Sequence, residues 1–300
     1  MFMNQRIQLI YDRAGNTDPM KVVFFFSGGA SSMEYILNHS NHGGDYEVIG
    51  AVTNRSEKKA AKGYDIARSA GVDVVYVNPG DFEDKKEFYG KVKDAVDDFG
   101  ADVVGLSGFV GRYSIITPPF LDSYQNMIIN VHPADLSILT KFDSQVIWDA
   151  GKDLVRKYRI HTSDSDSEDV AAVVKKGTYR RQFTGDDPVA MSTFFGEEYI
   201  CSTIHIAEED LDGGKILVQS KKVPIDTEFV KKSLSRNSLE RIMEYATKLQ
   251  ERMKTECDGP AFEAALDLIS TGRLGVDRNT VYLDGKKVPY GGVQLGDLDS

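Results

Sequence analysis

The sequence predicts an α/β fold: a doubly wound, mostly parallel sheet with helices on both faces. Two observations carry this. Apolar runs such as Val22-Val23-Phe24-Phe25-Phe26 are unbroken rather than alternating, as in strands covered on both sides. From Lys21 to Val131, strand-like and helix-like segments alternate with short connections, the pattern of βαβ units. Ligands of such sheets lie beyond the carboxyl ends of the strands, so the loops that follow the strands are where chemistry is expected.

Residues 1–20 are polar and irregular and read as an N-terminal extension. Lys21 to Phe26 is the first strand, Ser27 to Ser32 a glycine loop, and Met33 to Leu37 a helical pattern. Tyr46 to Val52 is the second strand, and Lys58 to Ala70 a helix stopped by Gly71. Val72 to Val77 is the third strand, and Lys85 to Phe99 a helix stopped by Gly100. Asp102 to Leu106 and Met127 to Val131 are the fourth and fifth strands. The alternation then breaks. Residues 143–182 read as an insertion with a helix of its own, and its Ser/Asp-rich stretch Thr162 to Asp169 reads as a solvated loop. Tyr199 to Ala207 and Lys215 to Ser220 resume as strands. Glu228 to Lys254 is one long helical region, and Ala261 to Ile269 a further helix. Asp284-Gly285 between two short strand-like runs suits a hairpin with a tight primed turn. The expected organisation is a single catalytic domain over 21–295 and a tail over 296–300.

With 300 residues the chain can bury a full core without staples. Its 46 acidic against 36 basic residues leave a net charge of −10. Nucleic-acid phosphates demand clustered Lys and Arg, so no DNA partner is expected. Cys201 and Cys257 stand far apart, which excludes a disulfide scaffold and a cysteine zinc site; no metal is expected. No apolar run approaches the ~20 residues that span a bilayer, and Met1 to Arg6 lacks the pattern of a signal peptide. A cytoplasmic protein without a membrane partner is expected.

Three clusters fall at strand ends. In Ser27 to Ser32 the glycines let backbone N–H groups approach an anion at a helix N-terminus. The loop has neither the Gly-Lys-Ser/Thr of a Walker loop nor dinucleotide glycine spacing, and it reads equally well as a plain strand-to-helix turn. Asn130 and His132 are two apart on a strand and so share a face, with Pro133 ending the strand. An amide beside an imidazole suits a developing oxyanion. The third cluster is Glu208-Glu209-Asp210-Leu211-Asp212-Gly213-Gly214, after Ile204-His205-Ile206-Ala207. A carboxylate near an imidazole raises its pKa and orients it, and two glycines after Asp212 predict a sharply bent loop.

Asn130-Val131-His132-Pro133 followed by Leu211-Asp212-Gly213-Gly214 resembles the folate-dependent formyltransferases, most closely the branch acting on glycinamide ribonucleotide in purine biosynthesis. Ser27-Gly28-Gly29, Val52-Thr53-Asn54, Leu106-Ser107-Gly108-Phe109, Gly272-Arg273-Leu274, Tyr282-Leu283-Asp284-Gly285 and Val288-Pro289 add to the likeness, in family order from Lys21 to Leu295 around the insertion. The resemblance implies transfer of a formyl group from 10-formyltetrahydrofolate, as co-substrate, to a small-molecule amine carrying a phosphate. It implies catalytic roles for Asn130, His132 and Asp212. Asn130 and a charged His132 would each donate a hydrogen bond to the formyl oxygen. Asp212 would keep His132 charged and order a water that moves protons. His205 would support them from behind. The folate would lie against Phe109, Val110, Gly111, Arg112, Tyr113, Ala207, Glu208, Glu209 and Asp210. The amine would lie against Gly28, Gly29, Ala30, Ser31, Ser32, Gly108, Pro133 and Gly185. A monomer or homodimer is expected.

The sequence also departs from that branch. Gly28-Gly29-Ala30-Ser31-Ser32 stands where ribonucleotide enzymes usually carry Gly-Asn-Gly-Ser-Asn. Asp258-Gly259-Pro260 and Gly185-Asp186-Asp187-Pro188-Val189 are closer to the methionyl-tRNA and sugar-nucleotide branches. The alternatives are therefore an amino-sugar nucleotide or methionyl-tRNA as acceptor. From another class come a formyltetrahydrofolate hydrolase, in which water attacks, and an inactive folate-binding protein. The presence of Asn130, His132 and Asp212 weighs against the last.

Overall fold

Met20 to Phe26 is apolar except for Lys21, and the fold covers it on both sides. Val22, Phe24 and Phe26 join Met33, Ile36 and Leu266 in one core, and Val23 and Phe25 join Phe88, Val92 and Phe120 in another. Each buried Phe or Val contributes roughly 1.5–3 kcal/mol, which is why the run forms the sheet's centre. The computed structural model describes residues 7–14, 17–39, 44–114, 116–118, 120–141, 159–236 and 238–298.

In chain order the elements are β1 (Gln8–Leu9), β2 (Met20–Phe26), α1 (Ser31–Asn38), β3 (Tyr46–Thr53), α2 (Ala61–Ser69), β4 (Val74–Tyr76), α3 (Lys85–Phe99), β5 (Val103–Leu106), α4 (Phe120–Ser123) and β6 (Ile128–His132). They continue with β7 (Ile138–Lys141), β8 (Arg159–His161), α5 (Ser167–Lys175), β9 (Tyr179–Arg181), α6 (Pro188–Phe194), β10 (Tyr199–Ile200), β11 (Thr203–Ile206), β12 (Ile216–Gln219) and β13 (Val223–Pro224). The last are α7 (Thr227–Ser235), α8 (Leu239–Met253), α9 (Gly259–Ser270), β14 (Leu274–Asp277), β15 (Thr280–Leu283), β16 (Lys286–Lys287), β17 (Val293–Gln294) and α10 (Leu295–Leu298).

The main sheet has the order β17-β12-β11-β6-β5-β2-β3-β4. From β4 to β6 neighbouring strands are parallel. β11 is antiparallel to both β6 and β12, and β17 is parallel to β12. The sheet is thus mixed and mostly parallel, with helices on both faces, as the unbroken apolar runs predict. β6 is the strand at which the parallel half meets the antiparallel half. Its register sets Asn130 opposite His205 and His132 opposite Thr203.

Several elements differ from expectation. The N-terminal extension is partly built into the fold: β1 pairs with β14, and Ile10 and Tyr11 are buried. β14 would otherwise leave an unpaired edge, and Ile10 N donates to Leu274 O there. The strand expected over 199–207 is broken at Ser202, whose N–H turns to the Ser220 hydroxyl at 2.9 Å. β10 leaves to pair with β13 instead. The helical region expected over 228–254 is divided between α7 and α8, where Ser238 N reaches back to Ser233 O. A π-helical turn over Lys254–Asp258 then leads into α9.

Of the segment 143–182, the part from Arg159 onward is described. β8 and β9 flank β7 in a three-stranded antiparallel sheet. The Ser/Asp-rich stretch read as a loop starts α5, because the Asp166 carboxylate accepts the Glu168 N–H at 2.8 Å and caps the helix. The hairpin between β15 and β16 places Asp284 at φ 51° and Gly285 at φ 76°, both left-handed as a type I′ turn requires. Among the described residues no helix is long and apolar enough to cross a membrane.

Candidate active site

Asn130 and His132 leave the same face of β6 at its carboxyl end, inside a cleft of about 360 Å³. The cleft is also lined by His205 from β11 and by Asp212 from the loop between β11 and β12. Pairing of β6 with β11 is what joins them: Asn130 Nδ2 lies 3.2 Å from His205 Nε2. His205 Nδ1 is 2.9 Å from the Ile206 carbonyl. Facing a carbonyl, Nδ1 must donate, and Nε2 lies between the Asn130 amide and the Asp212 carboxylate.

The bend predicted by Gly213-Gly214 is present. Asp212 has φ 52°, and Gly213 N closes the turn onto Asp210 O at 2.9 Å. A β-carbon on Gly214 would fall 1.8 Å from Ile206 O, so only glycine fits that close pass. The bend aims one carboxylate at three groups. Asp212 Oδ2 accepts the Gly185 N–H at 2.8 Å and lies 3.5 Å from His132 Nδ1. Oδ1 lies 3.5 Å from His205 Nε2. Burial pushes this carboxyl upward. The His205 hydrogen bond, the His132 and His205 charges and the Gly185 N–H together outweigh burial and bring it to about 2. Asp212 is ionised at neutral pH.

His132 is 5 % exposed, and its Nε2 donates to the Phe183 carbonyl at 2.6 Å. Burial depresses its pKa, and His205 and Arg181 add to that, against Asp212 and the Phe183 carbonyl. Burial thus outweighs the carboxylate and disfavours the charged imidazole that the resemblance implies. Both ring nitrogens nevertheless face acceptors, so the site is built to stabilise a proton that arrives during reaction.

The residues expected to hold substrates divide. Phe109, Val110, Ala207, Glu208, Gly108 and Gly185 line the cleft. Gly111, Arg112 and Tyr113 do not: the Arg112 guanidinium turns to the Tyr113 hydroxyl at 2.7 Å, and the Tyr113 carbonyl accepts from Tyr89 Oη at 2.6 Å. Glu209 and Asp210 are exposed beyond its edge, and Pro133 only ends β6. Gly28, Gly29, Ala30, Ser31 and Ser32 also lie outside the lining. There the N–H groups of Ser32 and Met33 both donate to the Ser107 hydroxyl, at 3.2 and 3.3 Å. A side chain from the end of β5 thus satisfies part of the helix terminus expected to hold a phosphate.

Leu106, Ser114, Ile116, Val131, Asp186 and Leu211 complete the lining and were not anticipated. Leu106 and Leu211 sit within motifs already read, and Asp186 follows Gly185. The Phe183 carbonyl had no sequence signal.

This arrangement puts an amide, two imidazoles and an ionised carboxylate at the carboxyl edge of a mostly parallel sheet. Residues 20–147 match the family model described as formyl transferase. The chain is related at low identity to phosphoribosylglycinamide formyltransferases. It is 22 % identical to that of Escherichia coli (strain K12) over 273 residues, covering 90 % of this chain and 96 % of the relative. The structure of the phosphoribosylglycinamide formyltransferase from Coxiella burnetii superposes with a TM-score of 0.61 at 18 % identity, covering 92 % of this chain and 99 % of that one. A formyltetrahydrofolate deformylase from Pseudomonas syringae pv. tomato shares the fold at a TM-score of 0.56 and 18 % identity, covering 89 % of this chain and 66 % of that one.

Proposed function

We propose that the protein transfers the formyl group of 10-formyltetrahydrofolate to the amine of glycinamide ribonucleotide. The observation that carries this reading is the convergence of Asn130, His132, His205 and Asp212 on one cleft. The match of residues 20–147 to the formyl transferase family supports it, as do relatives of that name aligned over most of both chains.

The amine lone pair attacks the formyl carbon, and the carbonyl π pair moves onto oxygen. Asn130 exchanges its bond to His205 for one to that oxygen, and His132 does the same with its Nε2–H. One such donor is worth roughly 2.7–4 kcal/mol of barrier. The proton lost by the amine passes by way of His132 and a water held at Asp212 to the departing folate nitrogen as its bond to the formyl carbon breaks. The imidazolium formed on the way is stabilised by the Asp212 carboxylate.

A second reading keeps the reaction and changes the acceptor. The Ser107 hydroxyl on the N-terminus of α1 favours an amine whose phosphate is held elsewhere, such as an amino-sugar nucleotide. Absorbance-monitored consumption of 10-formyltetrahydrofolate with glycinamide ribonucleotide, an amino-sugar nucleotide or no amine separates the cases. Consumption only with the ribonucleotide supports the first reading, and only with the sugar nucleotide the second. Equal consumption without amine means water is the acceptor. No consumption in any arm refutes formyl transfer from this donor.

A further inference from the structure

Arg181 ends β9, in the segment that interrupts the family-like pattern, yet its side chain leaves that small sheet for the catalytic loop. Nη1 donates to the Asp212 carbonyl, Nη2 to the Gly214 carbonyl at 2.8 Å, and Nε to the Tyr290 hydroxyl at 2.9 Å. The guanidinium carbon stands 5.4 Å from the centre of the Tyr290 ring. Arg181 is only 9 % exposed. Every nitrogen of this buried cation is bonded, and none of these bonds goes to a carboxylate. Burying a cation is costly, so its placement demands a reason beyond surface pairing.

The reason lies in what it holds. Asp212 is non-glycine and left-handed, a conformation that costs of order 1–3 kcal/mol and persists only where its surroundings over-determine it. Arg181 spans that bend, gripping the carbonyls on either side of Gly213. A planar fork can do this, whereas a lysine ammonium offers one point of attachment.

We propose that Arg181 is a positioning residue for the site: it fixes the loop that aims the Asp212 carboxylate at His132 and His205. The inference rests on the formyl-transfer reading for its kinetic arm only. Four groups govern the His132 proton: Asp212, His205, Arg181 and the Phe183 carbonyl. Arg181→Lys keeps the charge and removes the fork, so it isolates aim from electrostatics.

The test uses the full chain, with donor consumption in the presence of amine and NMR titration of His132 in protein labelled at histidine nitrogen, assigned with His132→Gln. In Arg181→Lys the expected result is a fall in kcat of about 100-fold, the typical cost of a misplacement near 1 Å, with an unchanged KM for the donor. The His132 titration moves to lower pH, because the carboxylate that pushes it up has lost its aim. In Arg181→Ala, added guanidinium ion restores part of the lost kcat. A folded Arg181→Lys with wild-type kcat and wild-type His132 titration overturns the inference. If Arg181→Ala fails to fold, Arg181→Lys decides alone. If the wild type consumes no donor with any amine, the functional reading fails, and the His132 titration in Arg181→Lys still decides this one.

Discussion

Asp212→Asn separates the charge of the site from its shape. Asparagine keeps the outline of the side chain, and its Oδ1 can still accept the Gly185 N–H now bonded at 2.8 Å. What disappears is the negative charge 3.5 Å from His132 Nδ1. At that separation, with the effective dielectric of about 20 that suits buried protein sites, a unit pair is worth about 5 kcal/mol. Burial disfavours a charged His132 beforehand, and in the proposed reaction the imidazole is charged while it carries the amine's proton, so nearly all of this is felt at the barrier. The expected loss is about three to four orders of magnitude in kcat, with little change in KM for the folate. The assay is donor consumption at saturating amine, with a thermal melt confirming the fold. A folded Asp212→Asn within about tenfold of wild type would refute the argument that this carboxylate stabilises a transient imidazolium.

Asn130→Ala removes an oxyanion donor and is expected to lower kcat by about 10²–10³, measured in the same assay at saturating donor. Gly214→Ala places a β-carbon against the Ile206 carbonyl; about 4 kcal/mol of destabilisation should appear as a lower urea midpoint. Asp258 is buried against the Ser202 hydroxyl at 2.5 Å, and burial pushes its carboxyl up to about 6. The folded state therefore binds this proton more tightly than the unfolded one. Stability from it is fully present below about pH 4 and is lost as pH rises to about 6. Asp258→Asn should gain on wild type over that window by up to about 3 kcal/mol, read from urea midpoints on both sides of it.

Much of the parallel half could be read in the sequence because its strands are buried on both faces. Val22 to Phe26 then carries a continuous apolar signal that no surface strand would show. Asn130 and His132 were legible for a different reason: the two-residue strand period places them together without further knowledge of the fold. The Asp284-Gly285 turn was legible because few residue pairs accept two left-handed positions in succession. The contact of Asn130 with His205 was not, since the antiparallel register of β6 and β11 leaves no local trace. Nor was the division between α7 and α8, where Ser238 N turns back to the Ser233 carbonyl. β1 is two residues long, too short for any period. The downward push on the His132 pKa depends on how deeply tertiary packing buries it, and Arg181 acts across 31 residues of chain.

The junction of β6 and β11 also bears on how the molecule reaches its active state. Asn130 and His205 are 75 residues apart, and the small sheet of β7, β8 and β9 lies between them in the chain. β2 with β3 and β5 with β6 join through short crossovers, whereas β11 must return across that whole interval, β5 must likewise return to reach β2, and pairings of this span form slowly. On dilution from denaturant, turnover should recover later than helical circular dichroism. A slip of one residue between β6 and β11 would turn His205 to the opposite face of the sheet. A chain trapped in that state would be compact yet inert, so specific activity measures correct strand register more sharply than any spectroscopic signal of folding.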